Sequence, residues 1–161
     1  MFRKMRRFQQ ALSKEAVDEI LERNTSGTLA LFGDDGYPYA VPLSYIYMNG
    51  KLYFHSAKEG HKIDAVKNYE KASFCVIDQD QVVSEKYTTY YRSVIAFGKV
   101  RLVESKDEMC RIATALAMKY SSEYEAGIPK EIDAFIDRMV IIELTIDHAA
   151  GKEAVELAKK N

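Results

Sequence analysis

The segment Leu52-Tyr53-Phe54-His55-Ser56-Ala57-Lys58-Glu59-Gly60-His61-Lys62-Ile63-Asp64 changes character halfway along. Its first half is apolar and aromatic and fits a strand running from Lys51 to Ser56. Its second half is polar, breaks at Gly60, and leads into a short helix over Lys62 to Asn68, with Ile63 and Val66 three apart. A strand that feeds a helix start is a natural anion site, because the first helix amides lack internal partners. Ser56 adds a hydroxyl donor, Lys58 and Lys62 add point charges, and His61 adds another donor. Gly60 permits a backbone path that other residues resist. Together these groups can hold a doubly charged phosphate. The same composition also fits a polar surface turn that merely connects two elements.

Upstream, Asn49-Gly50 is a strong short hairpin signal. It joins the Leu52 strand to Tyr39-Ala-Val-Pro-Leu-Ser-Tyr-Ile-Tyr47, which is rich in β-branched and aromatic residues. Pro42 lacks the ladder donor, so it implies an edge, a bulge, or backbone reserved for a ligand. Thr28 to Phe32 reads as a short buried strand, and Gly33-Asp34-Asp35-Gly36 as the turn after it. Ser13 caps a first helix carrying Val17, Ile20 and Leu21, which stops between Asn24 and Gly27.

Downstream, Ala72 to Ile77 is a strand and Asp78 to Ser84 is polar and turn-like. Tyr87 to Val103 reads as a long strand, with Gly98 a bulge or bend. Ser105 caps another helix, with Glu108 placed for a capping box. Gly127 and Pro129 precede a short helix at Ile132 to Ile136. Met139 to Ile146 is the last strand, and Lys152 to Lys160 is a charged tail of weak helical character. About six short hairpin-joined strands with peripheral helices give a mainly β fold, an antiparallel barrel. Strand–helix alternation of the dinucleotide-binding kind is absent, and so are GxGxxG and Walker loops.

The 161 residues fit one domain over 1–161, with a basic arm at 1–12 and a C-terminal tail at 149–161. The formal net charge of -1 gives no global field toward nucleic acid or anionic membrane. Arg3, Lys4, Arg6 and Arg7 form a local basic cluster, read as a solvated arm. The N-terminus lacks the apolar core of a secretory signal, no stretch has the length of a membrane span, and the two cysteines, Cys75 and Cys110, are far apart. A cytoplasmic protein with reduced thiols, and no nucleic-acid or membrane partner, is expected.

His55, His61 and His148 have no metal-ligand spacing, so no metal site is expected. The many tyrosines suit sheet packing, and a flat ring ligand can also stack on them. No nucleophile–base set points to a hydrolase.

Three stretches taken in order carry a resemblance: Pro38-Tyr-Ala-Val-Pro-Leu-Ser-Tyr-Ile-Tyr47, then Leu52 to Asp64, then Ser93-Val-Ile-Ala-Phe-Gly-Lys-Val100. The chain resembles the pyridoxamine 5′-phosphate oxidase-related flavoproteins. It is most similar to their 5-nitroimidazole-resistance (Nim-like) branch, which Met5-Arg6-Arg7 and Gly151-Lys152-Glu153 also match. The resemblance implies a split β-barrel, FMN as cofactor, and a homodimer with a flavin at each side of the interface. Val41, Pro42, Leu43 and Ser44 would run beside the isoalloxazine, which gives Pro42 a reason. His55, Ser56 and Ala57 would lie near the ring and the ribityl or phosphate. Lys58, His61 and Lys62 would hold the phosphate, and Ser93 would approach from the barrel. His55 is the only histidine the resemblance places near the ring, which makes it the candidate catalytic residue. A histidine packed at the barrel rim is the alternative.

The chain lacks tryptophan and the Arg-rich C-terminal motif of the true oxidase, so oxidation of pyridoxamine phosphate is not implied. The Nim-like resemblance implies an oxidoreductase that reduces a small electron-poor acceptor such as a nitro compound. Two further readings stay open: a flavin-binding module without turnover, and a haem-binding or haem-degrading split barrel.

Overall fold

The computed structural model describes residues 1–158. A seven-stranded antiparallel sheet carries the fold, in the order β2-β1-β5-β6-β7-β4-β3. The strands are β1 (Ser26–Phe32), β2 (Pro38–Ser44), β3 (Ile46–Met48), β4 (Lys51–Ala57), β5 (Lys71–Val83), β6 (Thr88–Leu102) and β7 (Met139–Glu153). The helices are α1 (Lys14–Arg23), α2 (His61–Asn68), α3 (Lys106–Ser121), α4 (Ile128–Phe135) and α5 (Val155–Ala158).

The two end strands of the sheet, β2 and β3, are consecutive in the chain with only Tyr45 between them. The sheet must therefore curl until its ends meet, which makes it a barrel. The ends meet at one corner and then part. β2 pairs only with β1 and β3 only with β4, so the barrel is split beyond Tyr45.

Alternation sets what faces inward. Leu29 and Leu31 of β1, Phe74 and Val76 of β5, Val94 and Ala96 of β6, and Ile142 and Leu144 of β7 fill the interior. Val17, Ile20 and Leu21 of α1 and Ile63, Ala65 and Val66 of α2 complete that core. A second cluster lies outside the barrel, where Ile112 and Leu116 of α3 cover Tyr53, Val103 and Ile141. Phe54 and Phe74 meet edge to face at 5.1 Å inside the barrel.

Local signals mostly act as the sequence implies. Ser13 Oγ accepts from Ala16 N–H at 3.2 Å, and Ser105 Oγ accepts from Glu108 N–H at 3.3 Å. Asn49 and Gly50 both have positive φ, as a two-residue hairpin turn demands. The β6–β7 register shifts at Phe97/Gly98, a bulge at the expected glycine. Pro42 lies on an edge strand, where its missing N–H costs no ladder bond on the open side.

Several boundaries differ. There are seven strands rather than about six, because Tyr45 divides the Tyr39–Tyr47 run. Asp78 to Val83 is strand, not turn; the polar composition reflects exposed extension of the β5–β6 hairpin past a register shift at Ile77/Gln79. The last strand continues through Glu153, so 149–153 is sheet rather than tail. Val155–Ala158 is helical, and the remainder of the tail expectation falls on 159–161, outside the described residues. Pro129 lies in the first turn of α4, which begins at Ile128, because proline needs no amide bond there. The arm at 1–12 is partly docked: Ala11 bridges Lys152, and Leu12 N–H donates to Gly151 O at 3.0 Å.

Two charge networks tie distant elements. Asp78 accepts from Arg23 (2.8 and 2.6 Å), Asn24 (2.8 Å) and Arg92 (3.4 Å), which fastens α1 to the β5–β6 hairpin. Glu143, almost wholly buried, accepts from Arg101 at 2.9 Å through both oxygens and from Lys51 at 3.1 Å. Burial alone would raise the Glu143 pKa, but Arg101 and Lys51 outweigh it and hold the carboxyl below its ordinary range.

Candidate functional site

β2 and the β4–α2 segment form the two sides of the split. Their shared apex is Tyr45; a ring contact at one end and a shared cavity at the other mark their course. At the far end, the imidazole of His61 stacks on the ring of Tyr39 at 4.1 Å. Its Nε2 accepts the Asp34 amide at 3.4 Å, which ties the start of α2 to the β1–β2 turn. At the near end, Ser44 lines one cavity together with His55, Ser56 and Ala57. Val41, Pro42 and Leu43 lie between those two points on β2. The split is therefore flanked by the two segments that the resemblance assigns to one ligand.

The loop has the geometry expected of it. Gly60 adopts φ 120°, a conformation side-chain-bearing residues avoid, and Gly60 O accepts from Ile63 and Asp64 N–H to start α2. Lys62 is half-buried, and burial lowers its pKa by disfavouring the charged amine. Among the described residues its ammonium has no carboxylate partner. Lys58 is exposed at the same loop, near enough to Asp137 to lower that carboxyl's pKa, after the larger effect of Lys106. A half-buried lysine without a carboxylate, beside a second lysine and a helix start, suits an anionic group.

The cavity at the near end holds about 480 Å³. One wall is Ser44, His55, Ser56 and Ala57. The other comes from α3 and α4, including Ala113, Leu116, Ile132 and Phe135, and is mostly apolar. The His55 side chain is exposed into this space, and its ring makes no hydrogen bond to protein among the described residues. A flat, largely apolar ring fits such a chamber, with a single imidazole free to donate or accept.

Ser93 stands apart. It faces outward from β6, paired with Ile77 and Lys152. That position is two strand spacings from β4 and three from β2, about 10 and 14 Å. Within one chain it does not line the cavity. The outward row Pro42-Thr28-Cys75-Ile95-Ala150 crosses five strands without a charge. Ile77, Ile95 and Phe97 are 63%, 43% and 39% exposed on the same face.

The helical wall escaped the sequence reading. α3 and α4 show only ordinary amphipathic spacing, which names a buried face but not what lies opposite it. Tyr120, the residue of α3 nearest the apex of the split, has no motif around it. Among the described residues no cluster of three or more His, Cys, Asp or Glu side chains has metal-binding geometry, and no helix is long and apolar enough to cross a membrane.

The curled sheet and its split apex define a split-barrel protein. The chain matches the pyridoxamine 5'-phosphate oxidase family over residues 13–153, and it belongs to that family. Among solved structures it is similar to a conserved hypothetical protein from Mycobacterium tuberculosis, at 18% identity and TM-score 0.82, covering 96% of this chain and 92% of that one. It is also similar to a candidate 5-nitroimidazole antibiotic resistance protein from Bacteroides thetaiotaomicron, at 20% identity and TM-score 0.75, covering 89% and 86%. A FAD-binding protein from Mesorhizobium loti matches at 26% identity and TM-score 0.68, covering 89% and 96%. Comparison with curated proteins finds no match.

Proposed function

We propose that this chain binds FMN in the split between β2 and the β4–α2 loop, and that it acts as a homodimeric oxidoreductase reducing a small electron-poor acceptor. The observation that carries this reading is the convergence of residues 41–44 with 55–62, fixed by the Tyr39–His61 stack and by the cavity shared by Ser44 and His55–Ala57. FMN is favoured over a longer dinucleotide because the cations are concentrated at one place, the start of α2, where a terminal phosphate would end. The flavin-binding relative from Mesorhizobium loti supports a flavin and leaves the choice between FAD and FMN to experiment.

In this reading Lys62 and Lys58 neutralise the phosphate, with the first α2 amides as donors. His61 is held by Tyr39 and Asp34, so its contribution is to orient the loop as well as to face the phosphate. The open edge of β2 along Val41–Ser44 offers backbone groups to the ring, with Pro42 presenting no N–H there. When bound, the flavin supplies the electron transfer. His55 can hold or donate a proton at the edge of the chamber. The apolar wall from α3 and α4 excludes water from that face. The uncharged outward row supports a second copy docking there, which is also how Ser93 would approach a flavin held by the partner.

The test is the absorption spectrum of the purified protein, then anaerobic reduction by NADH or NADPH and reoxidation by a nitro compound. A flavin spectrum with reoxidation by the nitro compound supports the proposal. A flavin that no acceptor reoxidises would reduce the protein to a binding module. A Soret band would replace flavin by haem.

A further inference from the structure

We propose that Tyr120 is a positioning residue: its hydroxyl pins the apex of the split and thereby sets where β2 presents its edge to a ring in the adjoining chamber. The inference rests on the flavin-binding reading above and names a residue which that reading does not use.

The apex is an awkward point in the sheet. The last β1–β2 partners are Ser26 and Ser44, and the first β3–β4 partners are Ile46 and Tyr53. Tyr45 stands between them with no strand on either side. A buried backbone pair left without partners is costly. Tyr120 supplies the missing partner from the last turn of α3. Its hydroxyl accepts from Tyr45 N–H at 2.9 Å and lies against two carbonyl oxygens, that of Tyr45 at 2.8 Å and that of Thr25. The single hydroxyl proton serves one of those carbonyls at a time, so the oxygen acts as a hinge pin shared by the end of α1, the start of β1 and the apex.

The neighbouring side chains hold Tyr45 from its other sides. The Tyr45 ring is fully buried, its hydroxyl donates to Leu21 O at 2.7 Å, and Phe74 meets it edge-on at 4.9 Å. Lys119 lies over the same ring at 4.5 Å and donates to Asn24 O at 2.5 Å. These contacts fix the side chain of Tyr45, whereas, among the described residues, it is Tyr120 that bonds its backbone. The residue before Tyr45 is Ser44, and both Ser44 and Tyr120 line the chamber. Backbone drift at the apex is therefore drift of the chamber wall. The angle between β2 and β4, and with it the width available to a ring, opens from this point.

The test compares Tyr120→Phe with Lys119→Met in the full chain. Phe keeps the ring packing, so the fold survives, which circular dichroism checks. Lys119→Met removes the amine from Tyr45 and Asn24 but keeps the hydroxyl, and it serves as the second variant for general loosening. In Tyr120→Phe, amide exchange at 44–46 accelerates in the ligand-free protein, while FMN and riboflavin both bind roughly tenfold more weakly. The bound-flavin visible spectrum also shifts. In Lys119→Met the affinity for both ligands stays at the wild-type value, even though thermal stability falls. Unchanged exchange at 44–46 in Tyr120→Phe overturns the pin. Accelerated exchange with wild-type flavin affinity and spectrum overturns the positioning role. Equal affinity losses in both variants, in proportion to stability, do the same. If the wild-type protein binds no flavin, the function proposed above fails, and the exchange measurement still decides whether Tyr120 holds the apex.

Discussion

Tyr39 and His61 lie 22 positions apart in sequence, yet their rings stack at 4.1 Å and close the far end of the split. His61 Nε2 also accepts the Asp34 amide, so the imidazole is tied to the β1–β2 turn. One side of the candidate site thus aligns the other without a covalent or strand connection.

The phosphate assignment predicts a ligand-specific effect of Lys62→Ala. Removing a charged hydrogen bond costs about 1.5–3 kcal/mol, roughly ten- to a hundredfold in affinity. FMN affinity falls by that factor and riboflavin affinity stays nearly constant. Titration calorimetry with both ligands reads the difference. Equal weakening of both indicates a general defect instead.

In the proposed reading, the role of His55 is separable from binding. His55→Ala keeps FMN occupancy, because the ring makes no structural hydrogen bond, but slows reoxidation of the reduced protein by an acceptor. Stopped-flow reoxidation across pH, with occupancy measured in parallel, distinguishes the two. An unchanged rate at full occupancy leaves His55 as part of the wall only.

The Glu143 network predicts acid sensitivity with a definite sign. Its carboxyl has a depressed pKa in the folded chain, so its contribution is present above the unfolded value, near pH 4.3, and is lost as pH falls through the folded value. Glu143→Gln destabilises at pH 7 by about 1–3 kcal/mol, discounted for the partial exposure of Arg101 and Lys51. The gap between wild type and variant narrows below about pH 4. Denaturant titrations at several pH values measure it, and a constant gap would show that Glu143 is not ionised in the folded state.

The uncharged outward row predicts association through that face. Ile95→Lys places a charge within that row and converts a dimer to monomer in light scattering, with the circular dichroism spectrum retained. A wild-type chain that is monomeric at micromolar concentration contradicts the dimer directly.

Much of this architecture was legible in the residues. Asn49-Gly50, Ser13, Ser105 and Gly98 act locally, and each does what its chemistry dictates. The loop residues 55–62 were legible because strand, glycine and helix start follow each other directly in sequence. The extent of β5 was not, since Asp78 to Val83 is polar and only its pairing with β6 makes it strand. Tyr120 and the α3–α4 wall were not legible either. Their meaning lies in what folds against them, and a tyrosine at the end of an amphipathic helix carries no local mark of a partner 75 residues away.

Titration of the purified, ligand-free protein with FMN, followed by flavin absorbance and fluorescence, tests the central claim most directly. Saturable binding of one FMN per chain, with a perturbed flavin spectrum and competition by riboflavin only at higher concentration, is the predicted result. A flat titration, or binding that Lys58→Ala, Lys62→Ala and Tyr120→Phe together leave unchanged, would contradict it.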